Sequence, residues 1–182
     1  IVSGFIHFQA QETIPFRITK HNNIIGKTLV NKEDSLHLMF QIAMEDASIS
    51  PERIRKADHI IFKDEISEKN SVKIGKRTYK NIKFFDNEFT GHEADGKMGT
   101  GIFKDKIFKI DYDQNRFVVY NQLPDLKDYQ PIPIFVEDGQ FYIVADNVID
   151  GKQYEAYFLL QSGYSGGLLY SNDFADGKEL DK

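Results

Sequence analysis

Residues 156–170, AYFLLQSGYSGGLLY, are the stretch that decides how this chain folds. An apolar run reaches Gln161, a polar segment with glycines follows, and a second apolar run leaves that segment. Short apolar runs on either side of glycines are typical of two strands joined by a sharp loop. The pattern therefore predicts a strand, a loop and a second strand around Gln161.

A weaker copy of this pattern lies upstream, at residues 36–49, LHLMFQIAMEDASI. In each copy, apolar residues precede a glutamine, a small residue follows two places later, and an apolar residue follows eight places later. The two glutamines, Gln41 and Gln161, are separated by about 120 positions, which is too long for a solenoid repeat. The spacing instead favours two copies of one small domain.

The composition limits the function classes. The chain has 182 residues, of which 41% are hydrophobic and 13% aromatic, enough for a globular core. A net charge of −5 argues against nucleic acid or an anionic membrane as the main partner. No apolar run approaches the roughly 18–20 residues that cross a bilayer, so no membrane span is predicted. The absence of cysteine excludes disulfide and thiol chemistry.

The first half of the chain reads mainly as strands. Short alternating runs predict strands within residues 1–30, and another strand over residues 36–40. The Ser-Pro-Glu triplet at residues 50–52 is a helix-start signal and predicts a short helix over about residues 51–56. Residues 72–85 predict a hairpin with Gly-Lys at its turn, and this turn is a candidate mobile lid.

The second half predicts further hairpins. Residues 95–103 are rich in glycine and predict one helical turn, followed by a closing hairpin over residues 107–120. Three of the five prolines fall in residues 123–133, the best candidate for a linker. Asp-Gly pairs, a strong signal for tight hairpins, divide residues 134–160 into a three-strand meander. The predicted domains are a lobe at 1–123, a linker at 124–133 and a partial second lobe at 134–182.

At this point the residues resemble a known family. FLLQSGYSG at residues 158–166 is similar to the signature of the retropepsin-like and pepsin-like aspartic proteases, with Gln161 in place of the aspartate. That signature reads apolar-apolar-Asp-Thr/Ser-Gly-small-Ser before an apolar strand. MFQIA at residues 39–43 resembles it less closely, with Gln41 for aspartate, isoleucine for Thr/Ser and alanine for glycine.

A later block strengthens the resemblance. KMGTGIF at residues 97–103, followed by FKIDY at 108–112, resembles the family's ψ-loop strand, short helix and closing strand that ends in Asp-Tyr. The matches span one complete lobe over about residues 14–120 and the opening of a second over about 132–176, as in two-lobed bacterial members. The resemblance implies an all-β fold: an acid-protease-like β-barrel with one or two short helices, followed by the start of a similar lobe. It also implies export to the periplasm or cell surface.

The departure from the family falls on the catalytic atoms. In the family, one aspartate from each lobe meets the other, and the pair shares one proton, so that one acts as base and the other as acid. A carboxamide can take neither role, so proteolysis is not expected from this sequence. Glu45 and Asp46 are weak candidates for displaced acids, because the second copy has Ser165 and Gly166 there. The resemblance implies dyad positions Gln41 and Gln161, and binding positions Ile42, Ala43, Ser162, Gly163, Tyr164 and Ser165.

No metal or cofactor is predicted. Residues 111–116 begin like a calcium loop, but Arg116 and Gln122 stand where that loop needs glycine and glutamate. His92 and Glu93 lack a second histidine one helical turn on, as a zinc helix requires.

Three functions remain open. The first is a catalytically impaired aspartic-protease-like protein that binds extended peptide or another ligand between its lobes. The second is an aspartic endopeptidase whose two catalytic aspartates are replaced by glutamine in this sequence. The third is a β-rich exported scaffold with no cleft function. The expected partners are a peptide or protein ligand, and a second lobe or partner chain that completes the second unit.

Overall fold

The structure, a computed structural model, describes residues 11–91 and 93–180. It is 46% strand and 6% helix, so the predicted all-β class is confirmed. The predicted strands that fall within residues 1–10 lie outside the described residues. No helix in the described ranges is long and apolar enough to cross a bilayer.

Nine strands within the described ranges form the main sheet. Their order is β3-β7-β4-β6-β5-β2-β1-β9-β8, and β3 also pairs with β2. This extra pairing closes six strands, from β3 round to β2, into a barrel. The strands are β1 (Gln11–Ile18), β2 (Ile24–Val30), β3 (Asp34–Phe40), β4 (Ala47–Ile49), β5 (Ile66–Ile74), β6 (Arg77–Phe85), β7 (Gly96–Met98), β8 (Ile107–Asp111) and β9 (Arg116–Tyr120).

The core of the barrel follows from the alternation of side chains along its strands. In β3, Leu36, Leu38 and Phe40 are completely buried, while the residues between them point outward or lie against loops. The Phe40 ring packs edge-on against Phe117, with ring centroids 5.1 Å apart. This packing fixes the end of β3, and therefore the point at which the chain reaches Gln41.

Strand β7 lies between the two strands that flank the first glutamine. It pairs in parallel with β3, with Phe40 opposite Met98, and antiparallel with β4, with Ala47 opposite Met98. A 3-10 turn over Thr100–Phe103 and the β8–β9 hairpin follow it, as the sequence predicts. The loop between β3 and β4 is thus held from both sides.

The second sheet is the predicted three-strand meander. It contains β10 (Phe135–Glu137), β11 (Gln140–Ile149) and β12 (Lys152–Leu159), all antiparallel. Asp138 and Gly139, like the second Asp-Gly pair, have positive φ, which is the geometry of a tight two-residue hairpin turn. One helix, α1 (Asn172–Gly177), follows and is capped by the Ser171 hydroxyl.

Two local predictions are wrong. The helix predicted over residues 51–56 is absent, because a buried carboxylate from another part of the chain binds backbone N–H groups of this segment. Asp95 accepts from Ile54 N and Arg55 N. The strand predicted after Gln161 is also absent, because the described residues offer no neighbouring strand with which residues 164–170 could pair.

Candidate functional site

The first glutamine loop begins where β3 ends. Gln41 N donates to Met98 O at 3.0 Å, which continues the pairing of β3 with β7 into the loop. The three carbonyl groups of residues 44–46 then accept from the N–H groups of residues 99–101. The shortest of these bonds joins Gly99 N to Asp46 O at 2.7 Å. These backbone hydrogen bonds fix the loop against β7 and the 3-10 turn.

Gly99 is required here for steric reasons. Its φ of −91° is one that any residue can adopt. A β-carbon at this position would lie 2.3, 2.5 and 2.6 Å from the carbonyl oxygens of Met44, Glu45 and Asp46. The glycine-rich block thus allows two backbone segments to approach closely, which is a role that only glycine can fill.

The second glutamine loop follows β12. Leu160 N donates to Phe141 O at 2.8 Å, which extends the β11–β12 ladder by one residue. The Gln161 side chain then turns back, and its Oε1 accepts from Gly163 N at 2.9 Å. This contact bends the chain directly after the strand.

One hydroxyl joins the two loops. Ser162 Oγ accepts from Ile42 N at 2.9 Å and donates to Phe40 O at 3.1 Å. It therefore binds the backbone on both sides of Gln41. Ile42 occupies the equivalent place in the first loop and has no hydroxyl, so the contact is made from one side only. We call this contact the Ser162 latch.

The latch brings the two predicted dyad positions together. A β-carbon on Gly163 would lie 3.3 Å from Gln161 Oε1 and also 3.3 Å from Cδ and Oε1 of Gln41. The two amide oxygens are therefore separated by no more than twice that distance. Gln161 is exposed and Gln41 is partly buried, so solvent reaches this point.

The other predicted site residues are placed less closely. Ala43 is buried within the first loop, where its small side chain fits. Tyr164 and Ser165 are exposed, and the Tyr164 ring folds over Gly166 rather than toward the first loop. The structure thus brings together Gln41, Ile42, Gln161, Ser162 and Gly163. The assignment of these residues as a site stays a prediction.

Asp46 is a charged residue at the end of the first glutamine loop. Burial raises the pKa of its carboxyl, while the nearby Lys83 amine, 3.9 Å away, opposes this shift. Its carbonyl is bonded to Gly99, so the residue belongs to the fixed part of the loop. Within residues 11–91 and 93–180, no cluster of His, Asp and Glu side chains could hold a metal ion.

The hairpin predicted as a lid has a fixed turn. Lys76 N donates to Glu12 Oε1 at 2.7 Å, and Arg77 forms an ion pair with the same carboxylate. These contacts tie the turn of the β5–β6 hairpin to β1. A lid that swings at this turn would first have to break them.

Among the residues that the structure describes, cavities of about 360, 500 and 330 Å³ are found, and neither glutamine lines any of these three. The third lies beside the first loop, between the barrel and the meander. Glu45, Phe103 and Phe141 are among its walls.

The latch can be tested by removing its hydroxyl. Ser162→Ala is expected to lower the free energy of unfolding by about 1–3 kcal/mol, because the Ile42 N–H loses its acceptor in a partly buried place. Urea denaturation measures the change. Ser165→Ala, at an exposed serine three residues on, is the matched control and should have almost no effect. Equal midpoints for the two variants would contradict the role of the latch.

Sequence reasoning predicted Ser162 as a binding position and missed its structural role. The serine directly after the glutamine was the only signal, and its partner could not be read from the sequence.

Comparison with known proteins adds no assignment: no protein-family model matches the chain, and no curated protein is detectably similar to it.

Proposed function

We propose that this chain is a catalytically impaired aspartic-protease-like protein that binds extended peptide between its two glutamine loops. The observation that supports this most is the Ser162 latch, which holds the loops so that the side chains of Gln41 and Gln161 meet at Gly163. The position of β7 between β3 and β4 supports the same kinship, because it matches the ψ-loop block of the resemblance.

The chemistry of the two side chains explains the loss of catalysis. Peptide hydrolysis by paired carboxylates needs one group to take a proton from water and the other to give a proton to the leaving nitrogen. A carboxamide has neither a basic atom near neutral pH nor a proton to release. Gln41 and Gln161 therefore cannot perform these steps.

Binding does not need those steps. A carboxamide offers two N–H donors and one carbonyl acceptor, which suit the amide groups of a peptide backbone. An extended peptide also gains affinity from main-chain hydrogen bonds that are independent of catalysis. The cavity beside Glu45, with the apolar walls of Phe103 and Phe141, offers space for a side chain.

The presence of the same residue at both dyad positions favours a second function. Both dyad positions carry the same residue, glutamine, while the serine and glycine that follow Gln161 are those of the family signature. This supports an aspartic endopeptidase whose two catalytic aspartates are replaced in this sequence. Aspartate codons at both positions of the encoding gene would establish it.

Export and a completed second lobe stay predictions from the resemblance. A scaffold without cleft function is the outcome if neither binding nor cleavage is found.

The test is the double variant Gln41→Asp with Gln161→Asp. Two carboxylates placed this close share a proton at acid pH, so the double variant should cleave fluorescein-labelled casein there. We expect a rate at least about 100-fold above that of the unmodified chain. Each single variant is a matched control, since it retains one carboxamide and should stay inactive.

Fluorescence anisotropy of the same labelled casein measures binding by the unmodified chain. Saturable binding that Ser162→Ala weakens would support the peptide-binding proposal. An inactive double variant, together with no binding by the unmodified chain, would show that the proposal is wrong.

A further inference from the structure

The two faces of the meander differ in how they are covered. On one face, Phe158 packs against Tyr170, and the Tyr170 ring stacks on Phe174 of α1 at a centroid distance of 4.9 Å. Lys178 lies 4.0 Å above the ring of Tyr154 on the same face. The segment after Gln161 therefore covers this face.

The other face, which we call the outer face, carries apolar side chains that remain exposed. The strand register places Phe135 beside Tyr142, Tyr142 beside Leu159, and Val144 beside Tyr157. Tyr157 is 68% exposed and Phe135 48% exposed, although their rings contact each other edge-on. The segment after Gln161 does not cover these side chains, and a contiguous exposed apolar surface of this kind is typical of an interaction site.

The outer face is also acidic. Glu137, Asp146 and Glu155 lie on it, and no lysine or arginine does. Asp146 and Glu155 are direct cross-strand neighbours, an arrangement that costs stability when the charges are alike. None of these three acids forms an ion pair with any residue in the part of the chain that the structure describes. A partner with basic side chains would therefore complement the negative charge of the outer face.

The same strand, β12, has a free edge. The hydrogen bond from Leu160 N to Phe141 O determines which alternate residues of β12 bond to β11. The N–H and C=O groups of Gln153, Glu155 and Tyr157 consequently point away from β11. Across residues 11–91 and 93–180, no strand pairs with this edge. Such an edge accepts an added strand.

We propose that the free edge of β12 and the outer face bind an extended polypeptide segment of a partner protein. The segment adds as a fourth, antiparallel strand. Its residues on the outer face are apolar beside Leu159 and Tyr157, and basic beside Glu155 and Gln153. A second copy of this chain fits less well, because pairing two outer faces brings the acids of one against the acids of the other.

The proposal is tested with two labelled peptides and the whole chain. The first peptide, Val-Thr-Phe-Thr-Lys-Thr-Lys-Thr, matches the required order, and the second replaces both lysines with glutamate. Fluorescence anisotropy at low ionic strength should show an association constant for the lysine peptide at least about fivefold higher. Added salt should reduce the difference, because exposed ion pairs are screened.

Two variants test separately the charge of the outer face and the free edge of β12. Glu155→Lys should weaken binding of the lysine peptide by about fivefold, and it relieves the repulsion from Asp146, so the fold is retained. Gln153→Pro removes an outward N–H without changing charge and should also weaken binding. Glu68→Lys, at an exposed acid on β5, is the matched control and should leave binding unchanged.

Equal binding of the two peptides, or no effect of Glu155→Lys, would overturn the proposal. Concentration-dependent self-association of the unmodified chain in sedimentation, abolished by Gln153→Pro at the free edge, would also overturn it in favour of a second copy. Hydrogen exchange gives a readout of position: the amides of Gln153, Glu155 and Tyr157 should gain protection with the lysine peptide.

Discussion

Gly99→Ala is expected to cost the barrel about 3 kcal/mol or more of its free energy of unfolding. The added β-carbon would lie as close as 2.3 Å to the Met44 carbonyl oxygen, and backbone atoms cannot move aside as the end of a side chain can. Because a domain is stabilised by only about 5–15 kcal/mol, a loss of this size removes much of its stability. The first loop would be displaced from β7, and Gln41 would move with it.

Urea denaturation followed by circular dichroism measures this effect. Gly167→Ala is the matched control, since a β-carbon at Gly167 meets nothing within 4 Å and should change stability by less than about 0.5 kcal/mol. An unchanged midpoint for Gly99→Ala would mean that the contact between the Gly99–Gly101 segment and the loop is looser than described.

Asp95→Asn has an expected effect of similar size. The Asp95 carboxylate is 1% exposed and accepts from the N–H groups of His37, Ile54 and Arg55, and from the Arg55 guanidinium. An amide would turn one acceptor into a donor that faces other donors. We expect a loss of about 3–5 kcal/mol, as for other broken buried ion pairs. Asp113→Asn, at an exposed turn, should cost almost nothing.

The pH dependence gives a second check. Burial alone would raise the pKa of Asp95, but the hydrogen bonds from His37 and Arg55 and the charge of Arg55 hold it below its ordinary value of 3.8. The folded state therefore favours the ionised carboxyl, and the stability it provides is lost as the pH falls below 3.8 through the folded-state pKa. The stability difference between the unmodified chain and Asp95→Asn should narrow over that range. A difference that is constant with pH would contradict this account.

Local signals in the sequence predicted most of the strands. The two Asp-Gly turns have the positive φ values that their sequence favours, and the alternating runs between them form the meander. The helical turn predicted in the glycine-rich block forms at Thr100–Phe103. Each of these features depends on neighbouring residues, so a single sequence carries it.

Features that depend on distant residues were not predicted. The Ser-Pro-Glu signal at residues 50–52 does form a turn, but Asp95 takes the N–H groups that a helix would have used. The Ser162 latch joins residues 120 positions apart, and nothing around Ile42 indicates its partner. The proximity of the two glutamine loops could be inferred only through the family resemblance.

The position of β7 between β3 and β4 has a consequence for the order in which the chain assembles. The segment that fixes Gln41 comes more than 50 residues later in the chain, about the separation of Met44 and Thr100. During synthesis, the first loop lacks the backbone hydrogen bonds that fix it until residues 96–101 have left the ribosome. Contacts of such long sequence separation slow folding, so the barrel should form late.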